Sequence, residues 1–301
     1  MKKKIVFLGD TNSINIEIVC KSHGLLKNKV QYLLIGNTKD LRKYLDHINS
    51  KLEINEINDP INFKNYKKNC LNIFNIEKIS SHKYKNLLNQ INIANKISNY
   101  TKVDLVTLPI NKSIFKKKIK FTGMTEYLGH LNKRNTKMLM LGEVFSIIPL
   151  TTHINLKNVN KFINKSFLNE SLKEILDLLK KKNYKLQYKD IKFICYNPHC
   201  SENETLGTED KIIKQIISKF KKISGPYAAD SAFKNIKFNR SLFISMYHDQ
   251  ALIPFKLLNK KGVNLTLGLN YRRLSPAHGT ANDIKFKNLA ENSSYLACME
   301  I

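Results

Sequence analysis

Short apolar runs alternate with amphipathic helical patterns along this chain, and most of the runs end in a polar turn. Examples are Lys4–Leu8, Val103–Leu108 and Leu242–Met246. Runs of this length are typical of strands buried on both faces of a parallel sheet. The patterns between them, such as Lys83–Ser98, place apolar residues at helical spacing. The sequence therefore predicts an α/β fold with a mainly parallel sheet at its core.

Apolar spacing predicts further helices over Phe121–Asn132, Leu156–Ile163, Glu170–Lys181 and Asp210–Ile223. The turn after the first strand contains no GxGxxG sequence. An ordinary Rossmann dinucleotide site is therefore not predicted at that turn, and a nicotinamide cofactor would need another binding mode.

Composition excludes several classes of protein. The formal charge is +27, but the excess lysine is spread over the whole chain. Without an arginine-rich arm or zinc-finger spacing, no specific nucleic-acid function is predicted. No apolar run approaches the roughly 18 to 20 residues of a transmembrane helix, and the first run is too short for a signal peptide. We therefore expect a cytoplasmic protein that does not associate with membranes.

Three histidines, His153, His199 and His248, each follow directly after a predicted strand. Ligands commonly bind at the carboxyl ends of such strands. Three imidazoles that leave open positions suit a catalytic divalent cation such as zinc. A histidine in this position is more often a hydrogen-bonded loop residue, so spacing alone leaves both interpretations open. Asp230 and Asp249 could support such a site or could cap helices.

Several side chains near these histidines could hold a polar or anionic substrate. Arg273 can bind a carboxylate or phosphate through two parallel hydrogen bonds. Asn264 is a polar anchor, and Lys256 is either an anchor or a surface charge in a lysine-rich chain. Thr125, in a Gly-Met-Thr-Glu segment, could bind substrate or cap a helix. The glycine of the segment His278–Ala281 allows close backbone approach to a ligand.

Taken together and in order, these segments resemble the 4-hydroxythreonine-4-phosphate dehydrogenase family from about residue 4 to residue 290. The motifs that carry the resemblance are Pro109–Lys112, Thr122–Leu128, Thr151–His153, Asn197–His199, Leu206–Glu209, Gly225–Pro226 with Ala229–Asp230, Met246–Gln250, Val263–Leu269 and His278–Ala281.

The resemblance implies a fold like that of isocitrate and isopropylmalate dehydrogenases, with two α/β subdomains and an interdomain cleft. Residues 1–125 and 276–301 would form the first, cofactor-side subdomain, and residues 126–275 the second. It also implies a homodimer with a shared active site, in which His153 and His199 would meet His248 of the partner subunit. The family's catalytic and metal-binding positions correspond to His153, His199 and His248, which would bind zinc, cobalt or magnesium. Its substrate-binding positions correspond to Met124, Thr125, Lys256, Asn264 and Arg273, and its cofactor loop for NAD or NADP corresponds to His278, Gly279, Thr280 and Ala281.

The implied reaction oxidises a small phosphorylated amino acid, 4-phosphooxy-L-threonine, to a 3-keto acid that decarboxylates to 3-amino-2-oxopropyl phosphate, a step of pyridoxal 5′-phosphate biosynthesis. Two alternatives stay open: a dehydrogenase of the same fold acting on a related phosphorylated four-carbon acid, and a catalytically impaired homologue retained as a binding protein.

Four segments depart from the family pattern. The loop Gly9–Glu17 lacks the usual prolines and inner glycines, and Met124 stands where the family has a substrate-binding histidine. A glycine-rich run has become Cys200–Thr205, and Ala277 replaces an aspartate. Because methionine donates no strong hydrogen bond, we expect one substrate contact to be lost at Met124.

Overall fold

The computed structural model describes residues 1–116, 118–119, 121–234, 236 and 241–301. They form two compact units, Met1–Asn132 with Leu269–Ile301, and Lys133–Gly268. The sequence predicts boundaries at 125/126 and 275/276, which would assign Arg273 to the second subdomain. In the structure Arg273 belongs to the first unit.

The strands of the described chain are β1 (Lys2–Phe7), β2 (Val30–Gly36), β3 (Ile54–Glu56), β4 (Leu71–Asn75), β5 (Asp104–Thr107), β6 (Lys137–Leu141), β7 (Ser146–Pro149), β8 (Asp190–Ile194), β9 (Ile223–Tyr227), β10 (Ser241–Ser245), β11 (Val263–Leu267) and β12 (Arg273–Pro276). The helices are α1 (Asn15–Leu26), α2 (Thr38–His47), α3 (Lys83–Thr101), α4 (Met124–Leu131), α5 (Lys165–Leu179), α6 (Glu209–Ile217), α7 (Ala229–Ala232), α8 (His248–Leu258) and α9 (Ser293–Glu300).

In the first unit the strand order is β3-β4-β2-β1-β5-β12, and every pair is parallel. Ile5, Val6 and Phe7 of β1 are fully buried, as expected for a strand covered on both faces. The apolar face of α3, which includes Leu87, Ile91, Ala94 and Ile97, is buried in the same core. The predicted helix over Lys83–Ser98 is confirmed and extends three residues further.

In the second unit the order is β11-β6-β7-β10-β8-β9. β11 and β7 each pair with β6 in the antiparallel sense, whereas β7, β10, β8 and β9 run parallel. The predicted α/β class with a mainly parallel sheet is therefore confirmed. No helix within the described ranges is both long enough and apolar enough to cross a bilayer.

Four predicted helices differ from those observed. The helix predicted over Phe121–Asn132 begins at Met124 and ends at Leu131. The helix predicted over Asp210–Ile223 ends at Ile217, because Ile223 pairs with Ile191 as the first residue of β9. The segment predicted as Leu156–Ile163 is a 3₁₀ helix over Leu156–Phe162. α5 begins at Lys165 rather than Glu170, because the side chain of Asn164 caps it by accepting a hydrogen bond from the Phe167 N–H at 2.9 Å.

Candidate active site

The three predicted histidines follow three neighbouring parallel strands of the second unit. His153 follows β7, His248 follows β10 and His199 follows β8, and the spatial order is β7-β10-β8. The structure brings two of them together, since the ring centroids of His153 and His248 lie 5.8 Å apart. Among the described residues, no three His, Cys, Asp or Glu side chains are grouped so that they could hold a metal ion. Within the described part of one chain, the structure therefore pairs His153 with His248, and His199 is not grouped with them.

The ring of His248 is oriented by its neighbour in sequence. His248 is the first residue of α8, and its Nδ1 lies 2.7 Å from Oδ1 of Asp249. This contact assigns the proton to Nδ1, so Nε2 is the nitrogen that can bind a cation. Histidines that bind metals commonly donate their other N–H to a carboxylate in this way. The predicted supporting role of Asp249 fits this geometry.

His199 lies in a turn with an unusual backbone. Six successive residues, His199 to Glu204, have φ between 40° and 73°. Residues other than glycine and asparagine adopt this left-handed conformation at a cost of about 1–2 kcal/mol each. The family's glycine-rich run would adopt it at little cost, whereas the run here contains no glycine.

Asn264 and Lys256 lie in the second unit. Asn264 is on β11, and its Oδ1 is buried without a hydrogen-bond partner in the described part of the chain. An unpaired buried acceptor is costly unless a ligand satisfies it. Lys256 is exposed in the last turn of α8, the helix that begins with His248. Both positions are compatible with substrate binding.

Arg273 and Thr125 lie in the first unit and are in contact. The buried guanidinium of Arg273 donates from Nε and Nη2 to Oγ1 of Thr107, at 2.8 and 2.6 Å, and from Nη1 to Oγ1 of Thr125 at 3.3 Å. Burial lowers the pKa of Arg273 to about 10, while Tyr271, Cys298 and Glu126 act in the opposite direction. Arg273 therefore remains a cation at neutral pH.

The sequence did not identify Thr107 as a candidate site residue, because Thr107 lies within the predicted apolar strand Val103–Leu108. The signal that could have identified it is a hydroxyl at the carboxyl end of that strand. Met124, the first residue of α4, packs against the hydrophobic core of the first unit.

The predicted cofactor loop, His278–Ala281, follows β12 and contacts the altered loop after β1. The carbonyl of Thr280 accepts a hydrogen bond from the N–H of Ile14 at 3.3 Å. Gly279 has open space around it, because an added Cβ would meet no described atom within 4 Å. A cavity of about 630 Å³ in the same unit is lined by Thr11, Asn12, Lys43, Lys285 and Phe286, among others.

The altered loop Gly9–Glu17 is held by a glycine in a close contact and by side-chain hydrogen bonds. Gly9 has φ +67°, and a Cβ there would lie 2.5 Å from the carbonyl oxygen of Pro109. The buried side chain of Asn15 donates to the carbonyls of Leu8 and Pro109, both at 2.8 Å. Side-chain hydrogen bonds therefore fix this turn, which lacks the usual prolines and inner glycines.

Comparisons with known proteins identify a family and several relatives for this chain. The family model described as Pyridoxal phosphate biosynthetic protein PdxA matches residues 28–301. A 4-hydroxythreonine-4-phosphate dehydrogenase from Sulfurihydrogenibium sp. (strain YO3AOP1) is 33% identical over 316 residues, which cover 100% of this chain and 97% of that protein. The enzyme of the same name from Aquifex aeolicus (strain VF5) is 33% identical over 318 residues, covering 100% and 98%.

Among solved structures, the 4-hydroxythreonine-4-phosphate dehydrogenase from Klebsiella pneumoniae superposes with a TM-score of 0.80 at 25% identity, covering 100% of this chain and 98% of that one. The resemblance inferred from the motifs is confirmed by these matches along the length of the chain. The chain belongs to the family of PdxA pyridoxal phosphate biosynthetic proteins.

Proposed function

We propose that this protein is a dehydrogenase that oxidises 4-hydroxythreonine 4-phosphate, with NAD or NADP as hydride acceptor and one divalent metal ion per site. The hydroxyl-bearing carbon gives up a hydride and the hydroxyl a proton, and the resulting 3-keto acid loses carbon dioxide to leave 3-amino-2-oxopropyl phosphate. Relatives of this name match the chain over its full length. The observation that carries the proposal is the pair of histidine rings, His153 and His248, 5.8 Å apart at the ends of adjacent parallel strands.

The residues present fit a metal ion. His153 and His248 supply two imidazoles, and the 2.7 Å contact with Asp249 orients one of them with Nε2 available. Imidazole nitrogen favours zinc or cobalt over magnesium, a cation that prefers oxygen ligands. When bound, such a cation would supply Lewis-acid chemistry to the alcohol and to the keto acid.

The third ligand in this proposal is His199 of the partner subunit in a homodimer. Two segments that carry the histidine pair also expose large apolar side chains. Ile253 and Leu257 of α8 are 61% and 78% exposed, and Ile154 and Leu156 beside His153 are 39% and 63% exposed. A second copy that covered this surface would bury these side chains and could complete the ligand set, as in symmetric dimers with self-complementary interfaces.

The remaining substrate groups can be assigned to this chain's polar residues. Arg273, held by Thr107 and Thr125, is a fixed cation suited to the phosphate or carboxylate of the substrate. Lys256 provides a second cation, and the unpaired Oδ1 of Asn264 can accept a hydrogen bond from the substrate's ammonium or hydroxyl group. These contacts would hold the reacting carbon against the nicotinamide, for which we propose the loop His278–Ala281 as part of the binding site.

Complementation between defective subunits tests the shared metal site. His199→Ala and His248→Ala chains carrying different tags are co-expressed and the heterodimer is purified. It contains one site with His153 and His248 from one chain and an intact His199 from the other, so we expect about half of wild-type activity, one intact site of two. The matched control, a heterodimer of His153→Ala and His248→Ala chains, is expected to be inactive because neither site keeps both histidines. Activity in the control pair, or none in the test pair, would contradict the assignment.

Met124 favours one alternative substrate class, a related phosphorylated four-carbon acid. Its side chain packs against the core and offers no strong hydrogen bond where the family has a histidine. Turnover of 4-hydroxythreonine 4-phosphate and of a threonate phosphate, measured side by side, separates the two. Turnover of the threonate phosphate alone would favour the alternative.

A further inference from the structure

The turn that carries His199 is held by one buried carboxylate, that of Asp210. Oδ1 of Asp210 accepts a hydrogen bond from the N–H of Tyr196 at 2.6 Å. Oδ2 accepts two, from the N–H of Asn197 at 3.0 Å and from the hydroxyl of Ser201 at 2.8 Å. Asp210 lies in the first turn of α6, so the three donors on either side of His199 are fixed to the start of a helix.

A second layer of hydrogen bonds closes this network. Nδ2 of Asn197 donates to Oγ of Ser201 at 3.0 Å and to Oε2 of Glu209 at 2.9 Å. Oε1 of Glu209 accepts from Nδ2 of Asn160 at 3.1 Å. The residues before and after His199 are therefore tied both to each other and to the helix, while the imidazole remains largely exposed.

The backbone of this turn explains why such a network is needed. Residues 199–204 are all left-handed, and glycine is absent from the run. A loop of these residue types would leave this conformation unless the surrounding structure imposed it. The hydrogen bonds of Asp210 hold the chain on both sides of His199, where the left-handed run begins. Tyr196 and Asn197 precede His199, and Ser201 follows it.

We propose that Asp210 is a positioning residue for His199. Its carboxylate imposes the left-handed turn and so fixes the direction in which the imidazole approaches a metal ion. This inference rests on the proposed function, in which His199 is a metal ligand. Substitution of a residue that orients a metal ligand typically weakens metal binding by about 10- to 100-fold. Substitution of a residue that only stabilises the fold should lower the melting temperature without a loss of metal affinity of this size.

The test compares wild type with Asp210→Asn. Asparagine has one acceptor oxygen, and its amide N–H₂ would face backbone donors, so at least one of the three bonds is lost. Metal-free protein is titrated with Co²⁺, and both the dissociation constant and the visible absorption bands are recorded. We expect about tenfold weaker binding and altered bands for Asp210→Asn. The control, Asp59→Asn, changes an exposed carboxylate that accepts the N–H groups of Ile61 and Asn62, and it should bind Co²⁺ as wild type does.

Ser201→Ala provides a milder variant that keeps the carboxylate and removes one bond of the three. It should weaken Co²⁺ binding by about threefold, as expected for one buried hydrogen bond. Wild-type affinity and spectrum in both Asp210→Asn and Ser201→Ala, even with a lower melting temperature, would overturn the inference and leave the metal site standing. A wild-type protein that binds no Co²⁺ would overturn the metal site itself, and the inference with it.

Discussion

Replacing Asp104 with asparagine should destabilise the first unit strongly, because this carboxylate neutralises two cations. The side chain of Lys4 is fully buried, and its Nζ lies 2.7 Å from Oδ2 of Asp104. Arg272 binds the same carboxylate through two hydrogen bonds, Nε to Oδ1 at 3.0 Å and Nη2 to Oδ2 at 2.5 Å. Asp104 begins β5, which pairs with the strand that carries Arg273, so this ion cluster adjoins the strand on which Arg273 lies.

The magnitude follows from burial. Removing one partner of a buried ion pair costs about 3–5 kcal/mol, because the other charge is left uncompensated. For a domain of this size each kcal/mol lowers the melting temperature by about 2–4 °C, so Asp104→Asn should lower it by about 6–20 °C. The control is Asp40→Asn, since Asp40 also lies 2.7 Å from a lysine, Lys78, but the two side chains are 28% and 53% exposed. This exposed pair should contribute no more than about 1 kcal/mol.

Urea unfolding and thermal denaturation measure both variants against wild type. Adding Lys4→Met to the Asp104→Asn protein removes one uncompensated cation and should recover part of the lost stability. Two results would refute the reasoning. One is equal losses for Asp104→Asn and Asp40→Asn, and the other is a double variant no more stable than Asp104→Asn alone.

Other substitutions test the site and the strained turn. Thr107→Val removes the acceptor of two hydrogen bonds from Arg273 and should raise KM for the substrate about tenfold, measured by steady-state kinetics. Glu202→Gly places glycine at φ 40° and should stabilise the protein by about 0.5–1 kcal/mol in urea unfolding, whereas Glu170→Gly in the interior of α5 should cost about 1 kcal/mol. Burial alone would raise the pKa of Asp104, but hydrogen bonds and charges from its cationic neighbours hold that pKa below its usual range. The stabilisation is therefore present above about pH 4, and the difference between wild type and Asp104→Asn should shrink as the pH falls below that value.

The sequence predicted the fold class and the buried strands around Lys4–Leu8, Val103–Leu108 and Leu242–Met246 because local patterns determine them. A short apolar run such as Lys4–Leu8, which ends in a polar turn, matches a buried strand and is too short for an ordinary helix. The end of α6 was predicted six residues too late because Phe220 and Ile223 continue the apolar spacing of the helix. In the structure Phe220 is half-buried in the connection after α6, and Ile223 is the buried first residue of β9. Periodicity alone does not distinguish these cases from a continued helix.

The sequence named candidate residues for the site but did not predict how they are arranged. Each histidine could be placed after a strand, but which two approach one another depends on the order β7-β10-β8 and on the left-handed turn at His199. The contact between Thr107 and Arg273 joins residues far apart in sequence, and it exists because β5 and β12 are neighbours. The hydrogen bonds of Asp210 likewise follow from three-dimensional packing and not from residue type.

Nicotinamide reduction by the metal-free and the metal-restored protein tests the proposed chemistry most directly. Purified protein is stripped with a chelator and mixed with 4-hydroxythreonine 4-phosphate and NAD or NADP, and absorbance of the reduced cofactor is followed before and after Zn²⁺ or Co²⁺ is added. We predict that reduction begins only when substrate, cofactor and metal are all present, and that His248→Ala remains inactive throughout. Reduction that proceeds at full rate in the chelated protein, or no reduction by the metal-restored wild type with either cofactor, would contradict the proposed function.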